Sequence, residues 1–159
     1  MSFDTDIQLK NYTLQRAKEE DSLFFYELKK LVLRHYVEII WGWDEEFQIG
    51  FHRDNYHPED TFIIKVGEEP AGTVEVREDD KKIFICSLYI HPDYQGRSIG
   101  TSIVKDYLAS AALQHKKTDL EVLRLNTRAI ELYKRLGFIE IIEKGDEVKH
   151  YMSRPFNNI

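Results

Sequence analysis

A glycine-containing segment at residues 95–101 has the composition of an anion-binding loop. It reads Gln-Gly-Arg-Ser-Ile-Gly-Thr and lies between an apolar run at residues 83–90 and a segment with helical periodicity. The first N–H groups of a helix have no partner inside the helix, and the helix dipole places partial positive charge there. Gly96 and Gly100 let a ligand approach the main chain, and Arg97 adds a fixed positive charge. The segment therefore predicts a phosphate site at a helix N-terminus.

The spacing of the two glycines excludes the two commonest nucleotide-binding loops. A Walker loop needs the pattern G-x-x-x-x-G-K-S/T, but Gly96 and Gly100 are too close together and no lysine follows. A Rossmann loop needs G-x-G-x-x-G, which is also absent. Taken alone, the segment is compatible with an ordinary strand–turn–helix connection with a polar loop.

A second segment, at residues 126–138, contains an asparagine and a tyrosine in a helical pattern. It reads Asn-Thr-Arg-Ala-Ile-Glu-Leu-Tyr-Lys-Arg-Leu-Gly-Phe. The pattern predicts a helix over residues 128–136, with Asn126 capping its start and Gly137 following its end. Tyr133 lies on the apolar face of that helix, where a core position is its default interpretation.

Together the two segments resemble the signatures of the GNAT superfamily of N-acetyltransferases. The first is similar to the Q-x-x-G-x-G pattern of the acetyl-CoA pyrophosphate loop, with Ser98 at the first of the two glycine positions. The second resembles N-x-x-A-x-x-x-Y-x-x-x-G-F. The resemblance covers residues 12–154 and implies one GNAT-like domain over residues 1–159, with acetyl-CoA as co-substrate.

The resemblance also implies a role for each part of the cofactor site. A bulge would separate the strand before the loop from the next strand, and the main chain of the bulged strand would bind the pantetheine arm. Asn126 would hydrogen-bond the same arm, and Tyr133 would act as general acid toward the departing thiolate. The implied cofactor-binding residues are Leu88, Tyr89, Ile90, Gln95, Gly96, Arg97, Ser98, Ile99, Gly100, Thr101, Asn126 and Tyr133.

The implied reaction is direct attack of a neutral amine on the acetyl carbonyl, with backbone N–H groups stabilising the oxyanion. A lysine-like amine has a pKa of about 10.4, so it must lose a proton before it attacks. Many family members carry a glutamate early in the strand before the loop, whereas residues 82–85 contain no carboxylate here. Glu75, on the polar face of the neighbouring strand, is the predicted general base, and Glu38 and His35 stay open as alternatives.

The residues predicted to bind the amine acceptor are inferred from less specific sequence patterns. Trp43 and Asp44 lie in an aromatic and acidic segment that borders the acceptor in the family arrangement, and with Glu38 they would suit a cationic amine. A buried aromatic anchor over the sheet is the alternative for Trp43. Cys86 lies in an apolar strand, where a small core residue is favoured over an acetyl-carrying thiol. Because residues 82–85 offer no obvious general base, a catalytically weak acetyl-CoA-binding module is an alternative function.

Composition limits the partners and the compartment. The net charge of −6 argues against nucleic acid as the main partner. The single cysteine excludes an intramolecular disulfide. With no signal-peptide core and no run of about 20 apolar residues, we expect a cytoplasmic protein without membrane contact. His52 and His57 lack the spacing of a ligand pair, so we expect no metal. The oligomeric state is open, with a homodimer among the alternatives.

The elements that position these residues follow from apolar periodicity along the chain. Strands are predicted at residues 12–16, 61–66, 71–77, 83–90, 120–125, 138–143 and 148–153. Helices are predicted at residues 23–40, 45–51, 99–112 and 128–136. Residues 23–40 are expected to form one long helix or two consecutive helices, with a break near His35 and with Asp21 as the N-cap. This order predicts an α/β (α+β) fold, a mixed and mostly antiparallel sheet with helices on both faces, and the resemblance implies the same GNAT-like architecture.

Overall fold

The chain folds around a mixed seven-stranded sheet. A computed structural model describes residues 11–156. The strands are β1 (Thr13–Arg16), β2 (Thr61–Val66), β3 (Glu69–Glu78), β4 (Lys82–Ile90), β5 (Lys117–Leu123), β6 (Ile139–Glu140) and β7 (Lys149–Arg154). Their spatial order is β1-β2-β3-β4-β5-β7-β6. Among these described strands only β4 and β5 pair in parallel, which confirms the predicted mostly antiparallel sheet.

Helices connect the strands in the predicted order. They are α1 (Ser22–Ile40), α2 (Glu45–Asn55), α3 (Ile99–Leu113) and α4 (Thr127–Arg135). Short 3-10 turns lie at Glu19–Asp21, Pro58–Asp60, Pro92–Tyr94 and Ile142–Lys144. The last of these turns makes β6 shorter than predicted. Within residues 11–156, no helix is long and apolar enough to cross a membrane, and no group of three or more His, Cys, Asp or Glu side chains is arranged to hold a metal ion.

Two predictions about α1 are right only in part: residues 22–40 form one long helix without the predicted break, and Asp21 occupies the N-cap position without a side-chain cap. The helix continues through His35 because no Gly or Pro interrupts residues 22–40, and it ends before Gly42, which has a φ of +80°. Asp21 does not cap α1 with its side chain. Its carboxylate instead accepts a hydrogen bond from the Lys18 N–H at 2.8 Å, because a 3-10 turn precedes the helix.

Apolar side chains cover both faces of the sheet, as predicted. On one face, Ile64 packs in a large buried cluster with Ile103 of α3 and Ile130 of α4. On the other face, Ile63 packs with Phe25 of α1. Consecutive residues of a strand point to opposite faces, so the pair at positions 63 and 64 defines the two sides. We call them the α1 face and the α3 face.

Candidate active site

The sheet opens between its two parallel strands. Within the described residues, β5 pairs with β4 only at residues 82–85, opposite residues 117–120. β4 nevertheless continues to Ile90, and β5 continues to Leu123. The main chain of residues 86–90 therefore has one edge that faces a gap instead of a strand. N–H and C=O groups along such an edge can bind an extended ligand.

A β-bulge at Cys86 accounts for this opening. On β3, Glu75 lies opposite Ser87 of β4. The next residue, Val76, lies opposite Ile85, so Cys86 is an extra residue without a partner on β3. A bulge bends its strand and increases the local twist, which turns the end of β4 away from β5. The bulge that the family resemblance implied is present.

The side chains of β4 that follow the bulge pack on both faces of the sheet. Leu88 and Ile90 pack against the buried cluster of the α3 face. Tyr89 lies opposite Thr73, which lies opposite Ile63, so its side chain points to the α1 face. The side chains of β4 thus hold the strand in the sheet while its main chain borders the gap.

The loop after β4 is shaped by its own polar groups. The 3-10 turn at Pro92–Tyr94 is capped by His91, whose Nδ1 accepts a hydrogen bond from the Asp93 N–H at 3.0 Å. The side chain of Gln95 donates to the Ile90 carbonyl at 2.9 Å. These bonds direct the chain from the end of β4 into the N-terminus of α3.

That N-terminus has the geometry of an anion site. The Ser102 N–H donates to the Ser98 carbonyl at 3.0 Å, which starts the hydrogen bonding of α3. The N–H groups of Ile99, Gly100 and Thr101 precede this bond and have no acceptor within the helix. Three main-chain donors are therefore oriented toward a ligand at the end of the loop.

Left-handed backbone conformations open the loop in front of these donors. Gly96 has a φ of +78°, and no heavy atom lies within 4 Å of the position that a Cβ would take. Ser98 has a φ of +65°, and its hydroxyl makes no capping hydrogen bond with α3. Arg97, between them, is exposed, and its guanidinium lies 5.0 Å from the centroid of the Tyr94 ring. The loop thus presents a positive charge beside open space.

Tyr133 lies on α4, the helix that follows β5. Asn126 caps this helix, as predicted, because its Oδ1 accepts from the Ala129 N–H at 3.2 Å, which leaves its amide N–H groups able to donate. The Tyr133 ring packs edge-on against Phe138, with the centroids 5.6 Å apart. Burial raises the pKa of Tyr133 to about 12. No described residue hydrogen-bonds to its hydroxyl, so a neutral hydrogen-bond donor is present near the C-terminal end of α4.

The pKa of Tyr89 is influenced by both the predicted acid, Tyr133, and the predicted base, Glu75. Burial raises the pKa of Tyr89, and the charges of Glu75 and Tyr133 add to that shift. Coulombic effects weaken with distance and are screened over about 10 Å in ordinary buffer. Glu75 and Tyr133 therefore each lie near Tyr89, which is at the end of β4 beyond the bulge.

Glu75 has the surroundings of a carboxylate that can exchange a proton. Its side chain is 19% exposed, and one of its oxygens accepts from Arg77 Nη2 at 3.1 Å. Burial raises the pKa of Glu75, and Arg77 and His57 partly oppose that shift. Lys29 of α1 is nearby, since burial lowers the pKa of its amine while Glu75 raises it. A carboxylate with a raised pKa is a stronger base than an ordinary one.

The predicted acceptor residues are engaged within the α1–α2 region. Asp44 caps α2, because its Oδ1 accepts from the Phe47 N–H at 3.1 Å. Glu38 is exposed and pairs with Arg34 one turn earlier, with the two atoms 2.5 Å apart. Trp43 is half-buried and donates its indole N–H within the same region. Among the described residues, none of these three hydrogen-bonds to a residue at the end of β4.

Glu45 is a central residue of this region that the sequence did not single out. Its carboxylate accepts from the Tyr26 hydroxyl at 2.6 Å and from Trp43 Nε1 at 2.9 Å, and it lies 2.8 Å from Lys30 Nζ. Lys30 first, then Tyr26 and Trp43, lower the pKa of Glu45 to about 2. We call these four residues the Glu45 cluster. Because two of its members lie on α1, no local pattern around position 45 could have shown it.

Cys86 has the properties of an unreactive thiol. Its Sγ lies 3.8 Å from the Phe84 carbonyl oxygen, and burial raises the pKa of its thiol to about 11. The reactive form of cysteine is the thiolate, and a thiol with this pKa is almost entirely protonated near neutral pH. The raised pKa argues against an acetyl-carrying thiol, and Cys86 itself is half-buried at the bulge and belongs to neither buried cluster.

The fold and the open strand edge define the class of protein. A PaiA N-acetyltransferase from Thermoplasma acidophilum, solved in complex with coenzyme A, matches with a TM-score of 0.71 at 18% identity, over 91% of this chain and 98% of that one. An acetyltransferase from Thermus thermophilus matches with a TM-score of 0.69 at 17% identity, over 91% and 97% of the two chains. At such identities the likeness establishes the fold, which is that of the N-acetyltransferases.

Sequence comparison gives the family. A model of the acetyltransferase (GNAT) family matches residues 14–138, and this chain belongs to that family. An uncharacterized N-acetyltransferase of Methanocaldococcus jannaschii is 28% identical over 149 residues, which cover 83% of this chain and 62% of that relative. A thialysine N-epsilon-acetyltransferase of Bos taurus is 37% identical over 65 residues, 40% of this chain and 38% of that relative. The chain thus spans less than two thirds of either relative, and the resemblance of its two motifs to the family is confirmed.

Proposed function

We propose that this protein is an acetyl-CoA-dependent N-acetyltransferase, which transfers the acetyl group directly to a primary amine of a small molecule or a protein. The observation that carries the proposal is the open edge of β4 at residues 86–90, which leads into the N-terminus of α3. Membership of the GNAT family, and the coenzyme A complex of the PaiA neighbour, support acetyl-CoA as the co-substrate.

The residues around this edge suit the separate parts of acetyl-CoA. The main chain of Leu88, Tyr89 and Ile90 borders the gap and would bind the pantetheine amides in the manner of an added strand. The amide donors of Asn126 would bind the same arm. The pyrophosphate would lie at the unpaired N–H groups that start α3, beside the open space at Gly96. The loop residues in this proposal are Gln95, Gly96, Arg97, Ser98, Ile99, Gly100 and Thr101.

The proposed reaction assigns each proton. The amine nitrogen attacks the acetyl carbonyl after Glu75, directly or through water, takes its proton. The main-chain N–H of Leu88 or Tyr89 would stabilise the oxyanion. The carbon–sulfur bond then breaks. A tyrosine with a pKa of about 12 is a weaker acid than an ordinary thiol near 8.5, so Tyr133 acts mainly by hydrogen-bonding the developing thiolate. After attack the nitrogen loses a second proton, which passes to the departing thiolate, and the proton held by Glu75 returns to solvent.

The acceptor is proposed as a class, because relatives with different acceptors share the fold. One sequence relative is a thialysine N-epsilon-acetyltransferase. Structural neighbours include a ribosomal-protein-S18-alanine N-acetyltransferase of Escherichia coli and Naa50 of Arabidopsis thaliana, the latter in complex with the bisubstrate analogue CoA-Ac-MVNAL. Thialysine and an alanine of a ribosomal protein are therefore both represented in the names of these proteins. Trp43, Asp44 and Glu38 remain proposed acceptor residues.

A catalytically weak acetyl-CoA-binding module is the second candidate. It is favoured by one observation, that the carboxylates of the α1–α2 region are occupied within the protein: Glu38 by Arg34, and Glu45 by its cluster. Each occupied carboxylate has less capacity to bind a cationic amine. Glu75, which pairs only with Arg77 among the described residues, favours the enzyme.

Two measurements separate the candidates. Isothermal titration with acetyl-CoA tests the cofactor site, and release of free thiol tests turnover over a panel of lysine-like amines, polyamines and peptide N-termini. The enzyme is expected to bind acetyl-CoA and to release thiol with at least one amine. Binding without turnover on the whole panel supports the module. Absence of acetyl-CoA binding contradicts both.

The proposal places the activity in one domain with its core at residues 12–154. It places the protein in a reducing, cytoplasmic compartment, supported by the single cysteine, which excludes an intramolecular disulfide. A homodimer is one of the assemblies open to it, and the molar mass in solution measures which one forms.

A further inference from the structure

A groove with a volume of about 590 Å³ lies on the α3 face, away from the cofactor loop. Its walls come from the second half of α3 and the end of α4. Its floor includes Thr118 of β5 and Arg154 of β7, which pair with each other across the two strands. The chain leaves β7 along one side of it, through Pro155 and Phe156. Nothing in the proposed acetyl transfer uses these residues.

Thr118 is an exception to the rule that buried polar groups have hydrogen-bond partners. The residue is 1% exposed, and its hydroxyl has no hydrogen-bond partner among the described residues. Buried hydroxyls in proteins nearly always have a partner, because an unsatisfied one is destabilising. Thr118 belongs to the lining of the groove, and its hydroxyl oxygen lies just beneath that surface, with less than 1 Å² accessible to solvent. A small rotation of the Thr118 side chain would bring the hydroxyl to an acceptor atom of a bound molecule.

The described charged residues that line the groove are all cationic. They are Lys105, Lys116, Arg135 and Arg154, and no carboxylate within residues 11–156 lines the groove with them. Lys116 is neutralised by Glu78, which lies 2.5 Å away outside the groove. Lys105 and Arg135 are exposed on α3 and α4, on either side of the opening. In a protein with a net charge of −6 this is a locally positive surface.

Apolar side chains separate these charges. Leu108 and Ala112 of α3, Leu136 after α4, and Phe156 line the same groove. A small inorganic anion would leave this apolar surface exposed to water, whereas an anion with an apolar body would cover it.

We propose that the groove is a binding site for a small organic anion, a phosphate or carboxylate joined to an apolar or aromatic body. An oxygen of the anionic group accepts the hydrogen bond of the Thr118 hydroxyl, and Lys105 and Arg135 supply the charge. The apolar body covers Leu108 and Leu136. The site is separate from the acetyl-CoA site, which lies at the start of α3, because the lining residues on α3 begin at Lys105 and extend toward the end of that helix.

Phenyl phosphate is a suitable probe, tested on the full chain by isothermal titration and by amide chemical shifts in NMR. We expect saturable binding with one site, a Kd of about 0.1–1 mM, and shifted amides at Thr118, Ala112 and Leu136. Saturating desulfo-CoA should leave this Kd unchanged. Loss of phenyl phosphate binding in the presence of desulfo-CoA would show that the probe occupies the cofactor site, and would overturn the proposal.

Thr118→Val is the sharpest variant, because it removes the hydroxyl and keeps the shape. It should weaken phenyl phosphate binding about tenfold while raising the Tm of the free protein by about 2–4 °C, since an unsatisfied buried hydroxyl is gone. Arg135→Gln and Lys105→Gln should each weaken binding severalfold. Lys81→Gln, an exposed lysine outside the groove, changes the charge equally and should not change the Kd.

Two further ligands test whether the groove recognises the anionic group, the aromatic body or both. Inorganic phosphate should bind at least tenfold more weakly than phenyl phosphate, and benzyl alcohol should bind more weakly still. Equal binding of benzyl alcohol would mean that the groove does not select an anion. Equal effects of Arg135→Gln and Lys81→Gln would mean that the probe binds by net charge alone. Either result, or no saturable binding up to 20 mM phenyl phosphate (roughly 20 times the upper expected Kd), overturns the proposal.

Discussion

The two halves of the candidate active site are built in different ways. The cofactor half offers main-chain groups: the open edge of β4 and the unpaired N–H groups at the start of α3. The acceptor half, formed by α1, α2 and the facing surface of β3, offers side chains that are largely bonded to one another. Glu38 pairs with Arg34, and Glu45 is bonded to three partners. The first half has unpaired main-chain groups, whereas Glu38 and Glu45 of the second are bonded to neighbouring side chains.

This difference separates positions that tolerate substitution from positions that do not. Main-chain recognition depends on backbone shape, so many side chains can occupy the loop provided that the left-handed positions are retained. An acceptor half made of interlocked side chains depends on particular residue types at distant positions. We therefore expect substitutions in the cofactor half to act on turnover through a few hydroxyl or charged groups, and substitutions in the acceptor half to act also on stability.

Tyr133→Phe should have the largest effect. It removes the hydroxyl that would hydrogen-bond the departing thiolate, and kcat should fall about 100-fold. The Kd of acetyl-CoA should stay within about twofold, because the ring and its packing on Phe138 remain. Since the pKa of Tyr133 is about 12, the hydroxyl stays protonated, and wild-type kcat should show no decline from this group below about pH 10.

Tyr107→Phe is the matched control for that variant. Tyr107 is also half-buried, and it packs against the same cluster from α3. Removal of the Tyr107 hydroxyl should leave kcat unchanged. An unchanged kcat in Tyr133→Phe, or an equal decrease in both variants, would remove the assigned role of Tyr133.

Glu75→Gln should have the second largest effect, a decrease of about tenfold or more in kcat/KM for a lysine-like amine. Activity that depends on the Glu75 carboxylate is lost as the pH falls through its pKa, which burial raises above the ordinary value. Wild type should therefore show an acid limb that the variant lacks. The deficit should shrink above about pH 10, where the amine is already neutral. Glu121→Gln, exposed on β5, is the charge-matched control.

The same contrast between main-chain and side-chain contacts explains why the sequence predicted the first half better than the second. The loop and Asn126 are local patterns: a residue type and its neighbours fix a cap, a turn or a helix start. The order of elements and the strand–loop–helix geometry around residues 95–101 were therefore predictable. Glu45 depends on Tyr26 and Lys30, which are 19 and 15 positions away and meet it only after α1 and α2 pack. Gly72 is a similar case, since a Cβ there would lie 2.3 Å from the Tyr89 carbonyl oxygen. Such contacts have no local signal.

Glu45→Gln tests whether the acceptor half is a structural unit. The folded-state pKa of Glu45 is about 2, below its ordinary value of 4.5, so the carboxylate stabilises the fold fully above about pH 4.5 and loses that contribution as the pH falls toward 2. The variant should have a Tm a few degrees lower than wild type at pH 7, and the difference should disappear near pH 2. The Kd of acetyl-CoA should not change.

Glu46→Gln is the neighbouring control for that experiment, because Glu46 is exposed and lies in the same first turn of α2. Its Tm should match wild type. A lower affinity for acetyl-CoA in Glu45→Gln would connect the two halves, and a difference in Tm that does not depend on pH would exclude the carboxylate as its cause.

Ser98→Gly should have the smallest effect, and it tests whether backbone shape governs the cofactor half. Ser98 has a φ of +65°, a conformation that costs a non-glycine residue about 1 kcal/mol. Glycine relieves this strain but loses more entropy on folding, so the net gain in the free energy of unfolding should be about 0.5 kcal/mol. Urea unfolding curves can resolve this shift. Ser98→Ala keeps the Cβ and removes the hydroxyl, and should not be stabilised.

Titration of the same two variants with acetyl-CoA separates backbone from hydroxyl. If main-chain N–H groups bind the pyrophosphate, both variants should keep the wild-type Kd within about twofold. If the Ser98 hydroxyl is itself a phosphate ligand, both should bind more weakly, since neither carries it. Tighter binding by Ser98→Gly alone would mean that the Cβ at position 98 hinders the phosphate. The loop would then be constrained by space in front of α3, and its serine would be a tolerated departure from the family's glycine.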